Sequence, residues 1–194
     1  MLFRSSLIET TGTAAGPCSA FLPGAGAASS ACAIFAPDAT DLSGMPADFV
    51  VPPTVLTNAG SIIGNVQLGD DLANAVTLVA GGSIDGNLDI GDSTDASLAL
   101  QGDAGTTQAY SQAVTGDTTF AGSLTKSGAG TWVLDNVALA DVTGTTQLQG
   151  GSLIVGGATG DGGALGDNVA VAAGTTLGGH GAIAGDVEIG RAHV

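Results

Sequence analysis

The sequence predicts an all-β fold of the solenoid kind, a parallel β-helix, and three observations carry that prediction. The first is self-similarity. "GSIIGNVQLGD" at Gly60–Asp70 returns as "GSIDGNLDIGD" at Gly82–Asp92, each matching residue displaced by 22 positions, and a looser copy, "GAIAGDVEIG", occupies Gly181–Gly190. The second is alternation: Val66 and Leu68 flank Gln67, Val76 and Leu78 flank Thr77, Leu88 and Ile90 flank Asp89, and Val187 and Ile189 flank Glu188. Period 2 with one apolar side is the mark of a half-buried strand. The third is composition: 33 Gly, 44% hydrophobic residues and only 4% aromatic ones, a mixture suited to thin strands stacked closely and joined by tight turns.

Self-similarity at a few tens of residues signals stacked repeats. A chain wound into a hollow prism revisits each face once per turn, so equivalent residues recur at the length of one turn. Three short strands and their corners fit 22 residues. A leucine-rich solenoid would show Leu-x-x-Leu-x-Leu and an asparagine ladder, which the sequence lacks. An antiparallel sandwich has short strands too, but no reason to repeat one corner and one strand in phase. Each copy enters its strand through Gly64-Asn65, Gly86-Asn87 or Gly185-Asp186, residues that tolerate a left-handed backbone.

Taken in order, the chain begins with "MLFRS" (residues 1–5) and ends with "IGRAHV" (189–194). Both strings match translations of short-read sequencing adapters and are set aside as artefacts, which makes the remainder an expected internal piece of a longer gene. Residues 6–56 are rich in Ala, Gly, Ser and Pro, show no sustained period and read as irregular. Within them Cys18 and Cys32 bound a short loop. In an exported protein such a pair reads first as a disulfide; two separate small buried thiols is the other reading. Residues 57–188 carry the alternating segments and read as β-helix rungs.

The net charge is −15, from 18 acids and 3 bases. That surface repels phosphates and anionic headgroups, so nucleic acid is not an expected partner. No run of 18 apolar residues spans a bilayer as a helix. No cofactor is expected: the cysteine spacing does not fit zinc, and the calcium-binding nonapeptide is missing, although acidic corners leave weak calcium binding open.

The middle segment, "LTKSGAGTWVLDNVALADVTGTTQLQGGSLIVGG" at 124–157, resembles the passenger-associated transport repeat of autotransporters, the type V secreted proteins of Gram-negative bacteria. Lys126-Ser127-Gly128-Ala129-Gly130-Thr131 opens the motif, followed by the strand residues Trp132 and Leu134. Gly144-Thr145-Thr146 comes next, and Gly150-Gly151-Ser152-Leu153-Ile154-Val155-Gly156 closes it. Trp132 stands where the family has Leu or Val. Lys126, Gly128, Gly130, Thr131, Gly150, Gly151 and Leu153 are the motif residues carried over.

The resemblance implies a right-handed β-helix, a fragment of a longer passenger displayed at the cell surface or released outside the cell. Its expected role is a structural stalk that supports export and folding across the outer membrane, with adhesion to a host or neighbouring cell as a further use. Its expected partner is a C-terminal outer-membrane β-barrel of the same polypeptide.

Catalysis is not expected. His180 lies in a "GGHG" turn, Ser93 in "GDS" reads as a repeat corner, and Lys126 belongs to the transport motif. The alternative function is a β-helical carbohydrate hydrolase using Asp70, Asp71, Asp92 and Asp95, acids that recur beside glycine corners and could act in pairs.

Overall fold

The computed structural model describes residues 7–9, 32–36, 50–135, 138–139, 144–157 and 162–190. From Val55 the chain makes about six turns of a parallel β-helix, and each turn gives one short strand to each of three sides. The long sheet stacks Val55–Asn58, Ala75–Val79, Ser97–Gln101, Ser123–Ser127, Thr146–Leu148, Val169–Val171 and Val187–Ile189 in chain order. These strands open rungs one to seven. All their pairings are parallel.

The register advances 20 residues from Val55 to Ala75 and 22 from Ala75 to Ser97. It advances 26 from Ser97 to Ser123, 22 from Thr125 to Gln147, 23 from Thr146 to Val169 and 18 from Val169 to Val187. The two near-identical repeats are therefore consecutive turns, with Ile62 beside Ile84 and Val66 beside Leu88.

Alternation along each strand sorts the side chains. Leu56, Val76, Leu78, Leu98, Leu100, Leu124, Leu148, Val169 and Val171 point inward from the long sheet, and Ile62, Ile84, Trp132, Leu134, Leu153 and Val155 from the second side. Val66, Leu68, Leu88, Ile90 and Leu165 close the third. The one large aromatic ring system, Trp132, is fully buried and its Nε1–H donates to the Gln101 carbonyl at 3.0 Å. Val187 and Ile189, assigned inward by the same alternation, are 44% and 71% exposed because they lie over Val169 and Val171 in the last described rung.

The stretch expected to be irregular contributes strands. Leu7–Glu9 pairs with Ser61–Ile63, and Cys32–Phe35 pairs with Asn65–Gln67, so parallel stacking reaches upstream of residue 57. A single strand of three or four residues has no period to reveal it; the neighbouring rung supplies its ladder. The terminal residues 191–194 and 1–6 lie outside the described residues, whereas Ile189 belongs to a strand paired with Val171.

A second departure is the longest turn. After Thr107–Ala109 the backbone makes one helical turn, Tyr110–Ala113, the only helix among the described residues. Val114 then returns to the second side and bridges Ile84. Tyr110 is buried, its hydroxyl 3.0 Å from Thr118 Oγ1. Four helical residues are too few for a 3.6-residue period to emerge from the sequence.

The repeated corner glycines have two different causes. Gly64 has a φ of +117° and does use the conformation expected of it. Gly86 does not: a Cβ there would sit 2.6 Å from the carbonyl carbon of Gly64 and 2.7 Å from its oxygen. The second glycine is required by the first one stacked against it.

Two measurements follow from this packing. Gly86→Ala forces a backbone shift and should destabilise by about 1–3 kcal/mol, whereas Gly162→Ala, with open space around its Cβ position, should stay within about 0.5 kcal/mol of the parent; urea unfolding compares them. Thr146 is buried in the inner file of the long sheet, and its hydroxyl has no hydrogen-bond partner. Thr146→Val keeps the shape and removes the stranded hydroxyl, so it should stabilise by about 1 kcal/mol in the same assay.

Candidate functional site

The seven motif residues named from the sequence meet at one corner, where the fourth and fifth rungs leave the long sheet for the second side. Lys126 sits within an inward-facing file of the long sheet, with aliphatic Leu78 and Leu100 on one side of it and Leu148 and Val171 on the other. It is fully buried. Its Nζ donates to the carbonyls of Ser127 at 2.8 Å, Gly128 at 2.9 Å and Gly150 at 2.9 Å. Two of these oxygens come from its own corner and the third from the rung above.

The glycines make that cage. Gly128 and Gly151 have φ of +73° and +63°, which turn the corner and bring carbonyls inward. A Cβ on Gly150 would lie 2.9 Å from the Gly128 oxygen, so the two corners stack without room for a side chain. A Cβ on Gly130 would collide with Thr106 Oγ1 and lie 2.7 Å from the Asp103 carbonyl oxygen. Thr131 begins the next strand, its N–H bonded to the Thr106 carbonyl at 2.8 Å, and Leu153 is buried beside Trp132 in register. The site is a structural clasp: an ammonium saturated by three backbone oxygens, with no open face for a substrate. Burial pushes the Lys126 amine below its ordinary range, because the core solvates charge poorly.

Asparagines form a second set of clasps that sequence reading passed over. Asn65 Oδ1 accepts the N–H of Asn87 at 2.9 Å, and Asn87 Oδ1 accepts the N–H of Asp117 at 3.0 Å. Asn168 Oδ1 accepts the N–H of Asp186 at 2.8 Å. A short asparagine ladder, Asn65 to Asn87, therefore runs up the corner between the second and third sides, contrary to the reading that none exists; Asn168 makes the same contact at the corner that enters the long sheet, and none of the three sits in a leucine-rich frame. Buried Asn74 donates to the carbonyls of Gly69 and Ile90 at 2.8 and 2.9 Å and accepts the N–H of Thr54 at 2.9 Å. The recurrence of Gly-Asn at the repeat period was the available signal.

The aspartates of the hydrolase alternative lie at the corner between the third side and the long sheet. Asp92 Oδ1 accepts the N–H of Asp71 at 3.1 Å, and the Asp95 N–H donates to Ser93 Oγ at 3.2 Å. Asp71 is the one described non-glycine residue with positive φ, at +56°. Burial raises the neighbouring Asp89 carboxyl; the Gly91 N–H, 3.1 Å from its Oδ1, pulls the other way, and the Asp92 charge adds to the rise. Among the described residues no group of three or more His, Cys, Asp or Glu side chains is placed to hold a metal ion. His180 is exposed in a bend.

The Cys18–Cys32 pair lies outside the described residues, apart from the backbone of Cys32 in its strand.

The helical turn opens a polar cavity of about 200 Å³ lined by Asn87, Tyr110, Ser111, Thr115, Asp117 and Asp135, among others. Asp135 accepts the N–H and the hydroxyl of Ser111 at 3.0 and 2.6 Å, and Thr115 donates to Asp85 at 2.9 Å. These bonds tie the inserted turn to the rungs beside it.

Comparisons with protein-family models, curated proteins and solved structures find no match for this chain.

The clasp makes stability depend on pH in a defined way. A lysine in an unfolded chain titrates near ~10.4; between the lowered folded value and ~10.4 the unfolded state binds the extra proton, so stability rises with pH across that window. Tyr110 acts oppositely, since burial, only partly countered by the Thr118 hydrogen bond, raises its phenol and unfolding then releases a proton above about pH 10. Urea unfolding between about pH 8 and 11 should show the parent gaining on Lys126→Met as pH rises toward ~10.4. Both proteins should lose stability above about pH 10. A constant gap between them means that burial does not lower the Lys126 pKa.

Proposed function

We propose that this chain is a structural, surface-displayed β-helix, the stalk of an autotransporter passenger that supports export and folding across the outer membrane of a Gram-negative bacterium. The observation that carries the reading is the convergence of Lys126, Gly128, Gly130, Thr131, Gly150, Gly151 and Leu153 on one corner of two successive rungs. The resemblance named these residues as a motif, and each has a physical task at that corner.

The architecture supports the same reading through its folding mechanics. Each strand bonds only to the rung before and the rung after, 18 to 26 residues away in the long sheet, so a chain emerging end first can add rungs one at a time. Sheets that need distant segments would have to wait for them. In this proposal the membrane partner is a C-terminal β-barrel of the same polypeptide.

Charge placement supports surface display and an adhesive use. On the long sheet, among the described residues, the outward positions carry Thr57, Thr77, Ala99, Thr125, Gln147 and Ala170 in one file before Glu188. The carboxylates gather instead at corners and on the other sides, Asp70, Asp71, Asp92, Asp95, Asp167 and Asp186 among them. An uncharged file on a chain of net charge −15 is where a neighbouring surface can approach without charge repulsion. No observation favours the hydrolase alternative: Asp92 Oδ1 accepts the backbone N–H of Asp71, and the Asp95 N–H is bonded to Ser93 Oγ.

The test is display. The full chain, placed between a secretory leader and an outer-membrane β-barrel in a Gram-negative host, should reach the surface and be cut by protease added to intact cells. It should do so in larger amount than a length-matched Gly/Ser chain on the same barrel. Retention in the periplasm, or display no better than the unstructured chain, overturns the proposal.

A further inference from the structure

We propose that Lys126 is a register pin: it makes one stacking of the rungs compatible with a buried charge and leaves the alternatives incompatible. The inference holds whether or not the chain is exported.

The need for a pin comes from the regularity of the core. Because side chains alternate with period 2, a slip of two residues between neighbouring rungs keeps every apolar side chain inward. The inner positions of rungs two, three and four are Val76 and Leu78, Leu98 and Leu100, and Leu124 with Lys126. Aliphatic residues at all of these would accept either alignment. Lys126 does not. Two of its acceptors, the Ser127 and Gly128 carbonyls, travel with its own strand, but the third belongs to Gly150 in the next rung. That oxygen is within reach because Gly150 and Gly128 stack with no side chain between them. Moving rung five by two residues takes the Gly150 corner away from the ammonium and leaves a charge in an aliphatic core short of an acceptor, a costly state.

A second polar residue occupies the same file three rungs away, in rung one. Asn58 is aligned through Leu78 and Leu100 with Lys126, and it is buried. It makes the same kind of contact: Oδ1 accepts the N–H of Gly60 in its own corner at 3.1 Å, and Nδ2 donates to Ser83 of the next rung at 3.0 Å. The two pins lie between rungs one and two and between rungs four and five, with only leucine between them in the file. A buried polar group that specifies alignment at some expense of stability is the best-attested use of such residues.

The test separates specification from stabilisation. Lys126→Met, of similar volume and apolar, is refolded from urea beside the parent, and both are measured by thermal unfolding and by amide NMR. The expected result is a melting midpoint at or above that of the parent together with doubled amide resonances over residues 123–131 and 146–155. Asn58→Leu should double the resonances over 55–63 and 75–85 instead, and leave those around Lys126 single. A single set of resonances in both variants overturns the proposal, because the aliphatic pattern is then enough to set register. A variant Lys126→Met that fails to fold or melts far below the parent also overturns it, since the lysine is then a net stabiliser.

Discussion

Successive backbones in this β-helix are held roughly 4.8 Å apart by parallel hydrogen-bond ladders, and that spacing governs everything placed at the corners. Along a strand the spacing is harmless, since side chains stand clear of the ladder. At a corner the chain turns across its neighbour, and a Cβ can point straight into the rung below. Gly86 over Gly64, Gly150 over Gly128 and Gly185 over Asn168 are all places where no Cβ fits. The glycine content of the chain is thus a consequence of stacking, and the repetition of corner sequences follows from the repetition of the corner.

The same close approach leaves carbonyl and N–H groups at the corners, turned away from the regular ladders, and the interior polar residues answer them. Lys126, Asn58 and Asn74 each satisfy backbone groups on more than one rung or side, and Asn65 and Asn87 pass one hydrogen bond up the stack. A buried polar group is costly alone and acceptable when its partners are all in place. These side chains therefore join corners into a network that the aliphatic files cannot provide. Thr146 is the exception, a buried hydroxyl with nothing to bond.

A coil built this way has short-range connectivity and a long uniform surface. Its hydrogen bonds cross one turn at a time, so order can spread along the chain from whichever rung forms first. The helical turn at Tyr110–Ala113 is absorbed locally: Asp135 from the next rung accepts the Ser111 N–H and hydroxyl, and Val114 rejoins the second side. The proposed role as an exported stalk draws on that modular folding and on the uncharged outward file that the broadest sheet keeps from Thr57 to Ala170.

Much of the architecture was legible from residues alone. Period-2 alternation identified Val66, Leu68, Val76, Leu78, Leu88 and Ile90 as inward-facing, and all are buried; the 22-residue displacement of the repeat is the length of the turn that separates its copies. Both signals are local, and a strand's alternation survives whatever it packs against. The motif at 124–157 named the residues of the Lys126 clasp, but not that the lysine points into the core, because in sequence it looks like any charged residue near a turn. The strand at Cys32–Phe35, the helical turn and the asparagine ladder stayed hidden for a related reason. Each is decided by what lies one rung away, and only the folded coil brings Gly150 to Lys126, Asn87 to Asn65 and Asp135 to Ser111.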